Sequence, residues 1–332
     1  MPPMARALVR AGQSQHVGQA LSPDKVIHRL VSVVRALMPT LVFVSALSAQ
    51  PRVDNVLERM VPPGATSLVG SRMDQIKQTE IYKKLLATQS LTQLDEFALE
   101  TGFDPRRDVR ELLFTTNAQG SVMLARGTFH LNSATLKGAK KTRHGQYDIW
   151  GLGASGFCIL DSTLAAAGDI PAVEAALDEW TSGAHTAAQP LLARVAGINP
   201  QSQLWGISIG TGNFLADHPP AANSGLDFSK IFTSLHDYWF QADFSAGLRA
   251  EVHGTAATEK EAISLRDTVR GIVGLGRLSV PENQSELLKV WDAIAVDQQG
   301  RSVSLHADIA QDLIDKMVQM LNAVPAAPRQ IL

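Results

Sequence analysis

The chain of 332 residues has one cysteine, Cys158, so no intrachain disulfide can form and no cysteine is placed to carry a lipid anchor after a leader. Aromatic residues make up only 6%, which leaves little for base stacking. Lys plus Arg, at 30, nearly balances Asp plus Glu, at 32, so no basic field exists to gather nucleic acid. Past one early segment, no stretch approaches the roughly 18 consecutive apolar residues of a membrane-spanning helix. What is present is ordinary globular material. Hydrophobic residues are 45%, charged residues 19%, and Gly and Pro number 25 and 16, which excludes disorder, collagen and coiled coil. At about 100–200 residues per domain, the length suits two ordinary domains or one large one.

The early segment is the exception. Arg29 and Arg35 precede an uncharged apolar run over residues 36–49, which ends in small residues before Gln50-Pro51. A basic region, a short apolar core and Val44-x-Ala46 or Ala46-x-Ser48 at the end form the pattern of a secretory signal. Residues 1–49 are therefore expected to be a targeting segment, with the mature protein periplasmic or extracellular, against the reading of the apolar run as a buried helix or short anchor. The 35 residues ahead of the run make a long basic region, as would arise if translation began nearer to it. Five basic residues and one acidic residue lie in this segment, so its removal takes the formal charge from −2 to −6. No membrane span is then expected.

Downstream, short Gly-containing turns separate runs of strand-favouring residues. Residues 110–116 and 121–129 flank Asn117-Ala-Gln-Gly120, 238–244 and 248–253 flank Ser245-Ala-Gly247, and 293–297 and 301–309 flank Gln298-Gln-Gly300. Residues 146–150 join 156–160 through a Gly-rich link. Each predicts a β-hairpin, because glycine supplies the positive φ that tight turns require.

Helices are signalled between them. Thr258-x-x-Glu261 is a capping box followed by Ala262, Leu265, Val269, Ile272 and Val273 on one stripe. Asp169 with Pro171 opens a helix that carries Val173, Ala176, Leu177 and Trp180 inward. Leu313, Ile314, Met317, Met320 and Leu321 form the stripe of a last helix, and Asp74 is expected to cap one running through Leu86.

The order strand, helix, hairpin, helix, hairpin, helix runs from about residue 65 to 183 and again from about 204 to 321. The expected fold class is α+β, in two similar halves built as ferredoxin-like layers by internal duplication, with helices on one face of each sheet. The expected units are residues 50–185 and 186–332, with a linker at 181–190 and a second loop at 216–225.

Two segments, residues 101–109 and residues 274–283 with Leu287, Leu288 and Trp291 following, resemble stretches of uncharacterised exported bacterial proteins. The resemblance covers most of the mature chain. It implies export and this architecture, and it brings no activity.

Several motifs invite a chemical reading. Gly151-Leu-Gly-Ala-Ser-Gly156 has dinucleotide-loop spacing, but a strand follows it where a helix is required, so a hairpin turn is expected. Gly206-Ile-Ser-Ile-Gly210 has nucleophile-elbow spacing, yet its apolar residues alternate as in one strand, which makes Ser208 a strand serine. Cys158 lies between apolar neighbours with no basic group nearby, as a buried inert thiol would. Arg106 and Arg107 in Asp104-Pro-Arg-Arg-Asp108 could meet an anion or a partner, against local charge pairing in a turn. The sharpest set is Glu251-x-His253 with His306-x-Asp308. Spacing of i,i+2 puts each pair on one face of a strand, and four N/O donors suit Zn²⁺ if the strands adjoin, against a merely solvated sheet face.

The expected function is a non-enzymatic binding or structural protein of the cell envelope, with no cofactor and with another envelope protein or polymer as partner. The competing reading is a periplasmic metal-dependent hydrolase, with Glu251, His253, His306 and Asp308 at its site, or a small-ligand-binding protein.

Overall fold

A computed structural model describes residues 53–88, 92–130, 139–183, 189–210 and 234–323. The expected targeting segment 1–49, the loop 216–225 and residues 184–188 of the linker lie outside the described residues.

The chain opens with α1 (Asn55–Glu58), β1 (Ser67–Ser71), α2 (Met73–Ile76), α3 (Glu80–Thr88), α4 (Thr92–Thr101) and α5 (Pro105–Asp108). A run of strands follows: β2 (Val109–Asn117), β3 (Gly120–Gly127), β4 (Lys140–His144), β5 (Tyr147–Leu152), β6 (Ser155–Asp161) and β7 (Leu164–Asp169). Then come α6 (Ile170–Ser182), α7 (Gln189–Val195), β8 (Leu204–Ser208), β9 (Leu235–Asp243) and β10 (Gly247–Ala256). The last elements are α8 (Glu259–Leu278), a 3₁₀ turn (Glu282–Leu287), α9 (Leu288–Asp292), β11 (Ile294–Gln299), β12 (Ser302–Ala310) and α10 (Gln311–Ala323). The protein is a mixed α+β fold.

Among the described residues the strands form one antiparallel sheet of 12, in the order β11-β12-β10-β9-β8-β1-β2-β3-β7-β6-β5-β4. The four hairpins read from sequence are all present, as β2–β3, β5–β6, β9–β10 and β11–β12. One continuous sheet replaces the two separately covered layers that the sequence suggested. The reason is apolar content on both sides of the central strands. On β1, Leu68 and Val69 point to opposite faces and are both buried, as are Trp205 and Leu204 on β8. A strand that is apolar on both sides must lie inside a sheet covered on both faces.

Two helical layers provide that cover. On one face, α1, α6 and α7 pack Leu57, Val173, Leu177 and Leu191 over Leu68, Leu113, Leu124 and Trp205. On the other, α2, α3 and α10 pack Ile76, Ile81, Leu313 and Ile314 over Val69, Leu112, Phe114 and Leu204. Along that second face, α8 adds Ala262 and Leu265 over Leu235, Tyr238, Val296 and Val303. The strand order is mirrored about the β1–β8 seam, with β2–β3 and β9–β10 next outward on either side. The layers are not mirrored: α6 closes the first half on one face, and α10 closes the second on the other. Between its outer hairpins the first half also carries β4, where the second half carries α8.

Two local expectations are corrected. Asp74 lies inside α2 with Arg72 at the N-cap, and the helical path breaks between α2 and α3. On α10 Val318 faces the core beside Leu313 and Ile314, whereas Met317 is 38% exposed. Asp169 does hold the N-cap position of α6, but its Oδ2 accepts from the Ser121 amide at 2.9 Å and so ties β3 to β7. The edge strand β4 carries Lys140, Lys141 and Arg143, charges that discourage pairing with another chain.

Candidate functional site

Side chains alternate along β10. Leu248 and Ala250 pack into the second-face core, so Arg249, Glu251 and His253 point to the first face. Antiparallel register then decides which residues meet. Glu251 is directly opposite Gln241 of β9 and His306 of β12, His253 is opposite Trp239 and Ser304, and Arg249 is opposite Asp243 and Asp308.

These rows make a cluster. Single donor atoms of Glu251, His253 and His306 all lie within 4.8 Å of one another. His306 Nδ1 is 4.0 Å from Glu251 Oε1. The two imidazoles meet edge to face at 5.4 Å between centroids. The indole of Trp239 stacks on His253 at 4.1 Å with 18° between planes, and Gln241 Nε2 donates to Glu251 Oε2 at 2.8 Å. The groups are half-buried, with the His306 and Glu251 side chains 46% and 43% exposed. Partial burial lowers the pKa of His253, and neighbouring His306 lowers it further against the pull of Glu251.

Asp308, the fourth donor expected from sequence, does not join them. It is one step of two residues beyond His306, about 7 Å along the strand, in the row with Arg249. Trp239 and Gln241 were missed. Their signal was available in the hairpin loop Ser245-Ala-Gly247, whose length fixes the register that sets Gln241 beside Glu251 and Trp239 beside His253.

The remaining motifs resolve into structure. Arg106 binds Asp104 through Nε and Nη2, each at 2.9 Å, and Asp95 at 2.7 Å through Nη1. Arg107 grips Asp108 in a two-point pair at 2.6 and 2.7 Å. Hydrogen bonding to these carboxylates raises the pKa of both arginines; both guanidiniums are engaged within their own turn, and Arg106 also reaches α4 through Asp95. Gly151–Gly156 forms the β5–β6 hairpin, with Gly153 at φ 62°. Ser208 is buried in β8. Cys158 is fully buried in β6, and burial pushes its thiol up to about 12, with Asp148 adding to the shift.

A second titratable group has no sequence signature. Glu111 of β2 accepts from the Asp54 amide at 3.1 Å under the N-terminus of α1. Burial raises its pKa to about 7, the amide opposing and the Asp54 carboxylate adding.

The chain matches no protein-family profile and no curated protein. Among solved structures it is similar to TP0453, a Treponema protein. Crystal form III gives a TM-score of 0.44 at 9% identity, covering 82% of this chain and 99% of that one. Crystal form I gives 0.43 at 9% identity, covering 83% and 100%.

Proposed function

We propose that the protein is an exported, non-enzymatic binding protein of the cell envelope that works by surface contact with another envelope protein or polymer. The observation that supports this most is the first face of the sheet across β9, β10, β12 and β11. There Trp239, Gln241, Glu251, His253, Ser304 and His306 stand side by side, half-exposed, on β9, β10 and β12, each paired on both sides. A partly exposed indole among adaptable polar groups is the composition that contact surfaces favour. Around it the charges alternate in sign, with Arg249 beside Asp243 and Asp308, so recognition rests on local contacts and not on a broad field.

The leader-like segment at residues 36–49 supports export. Mirrored strand order supports reading the two halves as copies of one strand plan, with helices that later settled on opposite faces.

The test is expression of the full chain in a bacterium with an envelope, with a photo-crosslinking residue at position 239 and, as control, at the exposed position 278 on α8. Recovery of the chain in the envelope fraction, truncated near residue 46 or 48, with adducts dependent on position 239, is the expected result. Retention of an untruncated chain in the cytoplasm, or equal adducts from both positions, overturns the reading.

A further inference from the structure

We infer that Glu251, His253 and His306 form a binding site for a divalent late transition-metal ion of the zinc class. This goes beyond the envelope-contact reading and does not depend on it.

The argument begins with how the donors are placed. Two come from one strand at i,i+2 and the third from the directly opposed position on the neighbour, so backbone pairing alone fixes their Cα positions. The donor atoms already lie within 4.8 Å of one another, and the Glu251 oxygen is 4.0 Å from His306 Nδ1. A tetrahedral ion with bonds of about 2.0–2.2 Å needs its donors about 3.3–3.5 Å apart. Half-exposed side chains on fixed backbones cover that difference by small torsional changes.

Support for the donors comes from their neighbours. Gln241 Nε2 holds Glu251 Oε2 at 2.8 Å, which leaves Oε1 on the side of His306. Stacking against Trp239 fixes the plane of the His253 ring. Such contacts orient ligands before an ion arrives and raise affinity for it.

Donor chemistry selects the ion. Two imidazoles and one carboxylate suit Zn²⁺, Ni²⁺ or Cu²⁺, whereas Mg²⁺ and Ca²⁺ require an oxygen cage and Cu⁺ requires sulfur. Three protein donors leave at least one position open to water or to a group on another molecule.

Equilibrium dialysis of the full chain against ZnCl₂, followed by metal analysis, tests the inference. One zinc per chain is expected, with binding weakened at least tenfold in His253→Ala, His306→Ala and Glu251→Gln and unchanged in Asp308→Asn. Magnesium at the same concentration leaves the stoichiometry at zero. His306→Gln, closer in size, serves where alanine loosens the face. Ni²⁺ is expected to quench tryptophan emission in the wild type, and that quenching is lost in Trp239→Phe. Absence of saturable zinc at about 100 μM, or equal uptake by the wild type and the His253→Ala/His306→Ala double variant, overturns the inference. Zinc uptake without envelope crosslinks upholds the site and removes the contact reading; crosslinks without zinc do the reverse.

Discussion

The indole of Trp205 lies across Gly70, its direct partner on the β1–β8 seam, so closely that a β-carbon on Gly70 would stand 2.3 Å from Trp205 Cε2 and Cζ2. On the opposite face, Phe240 covers Gly206 in the same manner, with a β-carbon there 2.3 Å from Cε1. The β1–β8 seam and the adjoining β8–β9 pair are thus each packed by an aromatic ring laid over a cross-strand glycine. Each ring fills the space that its neighbour's missing side chain leaves, so a glycine that would weaken an isolated strand becomes a packing site.

Gly70→Ala is expected to destabilise the fold by about 1–3 kcal/mol, because Trp205 is 1% exposed and has no room to turn away. In a Trp205→Leu background the added methyl has space, and the penalty should fall by more than half. Denaturant unfolding of the four proteins in a double-mutant cycle measures this. An equal Gly70→Ala cost in both backgrounds would refute the contact as its cause.

At the start of α8, Thr258 Oγ1 accepts from the Glu261 amide at 3.2 Å and Glu261 Oε2 accepts from the Thr258 amide at 2.9 Å. Thr258→Ala should cost about 1 kcal/mol, whereas Thr258→Asn should cost little, since asparagine caps as well. Urea midpoints at constant m-value decide the matter. An asparagine variant as unstable as the alanine variant would show that packing, and not the cap, holds this end.

Cys158 is expected to resist thiol reagents in the native state. At pH 8 a thiol pushed up to about 12 is ionised in roughly one molecule in ten thousand, and the side chain is fully buried. Labelling by a disulfide-exchange reagent should therefore track opening of the sheet around β6 and accelerate with urea. Complete labelling within minutes at zero denaturant, with circular dichroism unchanged, would contradict this placement.

The features that were legible in sequence are local ones. The hairpins β2–β3, β9–β10 and β11–β12 are closed by short loops containing Gly120, Gly247 and Gly300, each at positive φ, so a few adjacent residues carry the whole signal. The same holds for the Thr258 capping box. The site was half legible. Spacing along β10 put Glu251 and His253 on one face, but spacing along β12 also admitted Asp308, which only the pairing of Arg249 with Asp308 removes. The β1–β8 seam was not legible, because Gly70 and Trp205 are far apart in sequence and nothing local marks them as partners. Nor was the burial of Glu111, since Arg110-Glu-Leu reads as the wet side of a strand until Asp54 and α1 close over it.

Glu111 also sets a pH dependence whose sign follows from its shift. Its folded-state pKa of about 7 is above the ordinary 4.5, with burial as the main cause. Below about pH 4.5 the carboxyl is protonated in both states, and its favourable contribution is fully present. Between about 4.5 and 7 the unfolded chain releases the proton while the folded chain keeps it, so stability falls as pH rises. Above about 7 both states are ionised and the loss is complete, at most about 3 kcal/mol if the whole shift is realised. Glu111→Gln keeps an acceptor for the Asp54 amide and removes the charge. Its stability relative to wild type should therefore be near zero at pH 4.5 and should grow to about 1–3 kcal/mol in favour of the variant at pH 8. Unfolding free energies measured at both pH values test this, and a difference that stays flat across the window would mean that Glu111 is solvated in the folded protein.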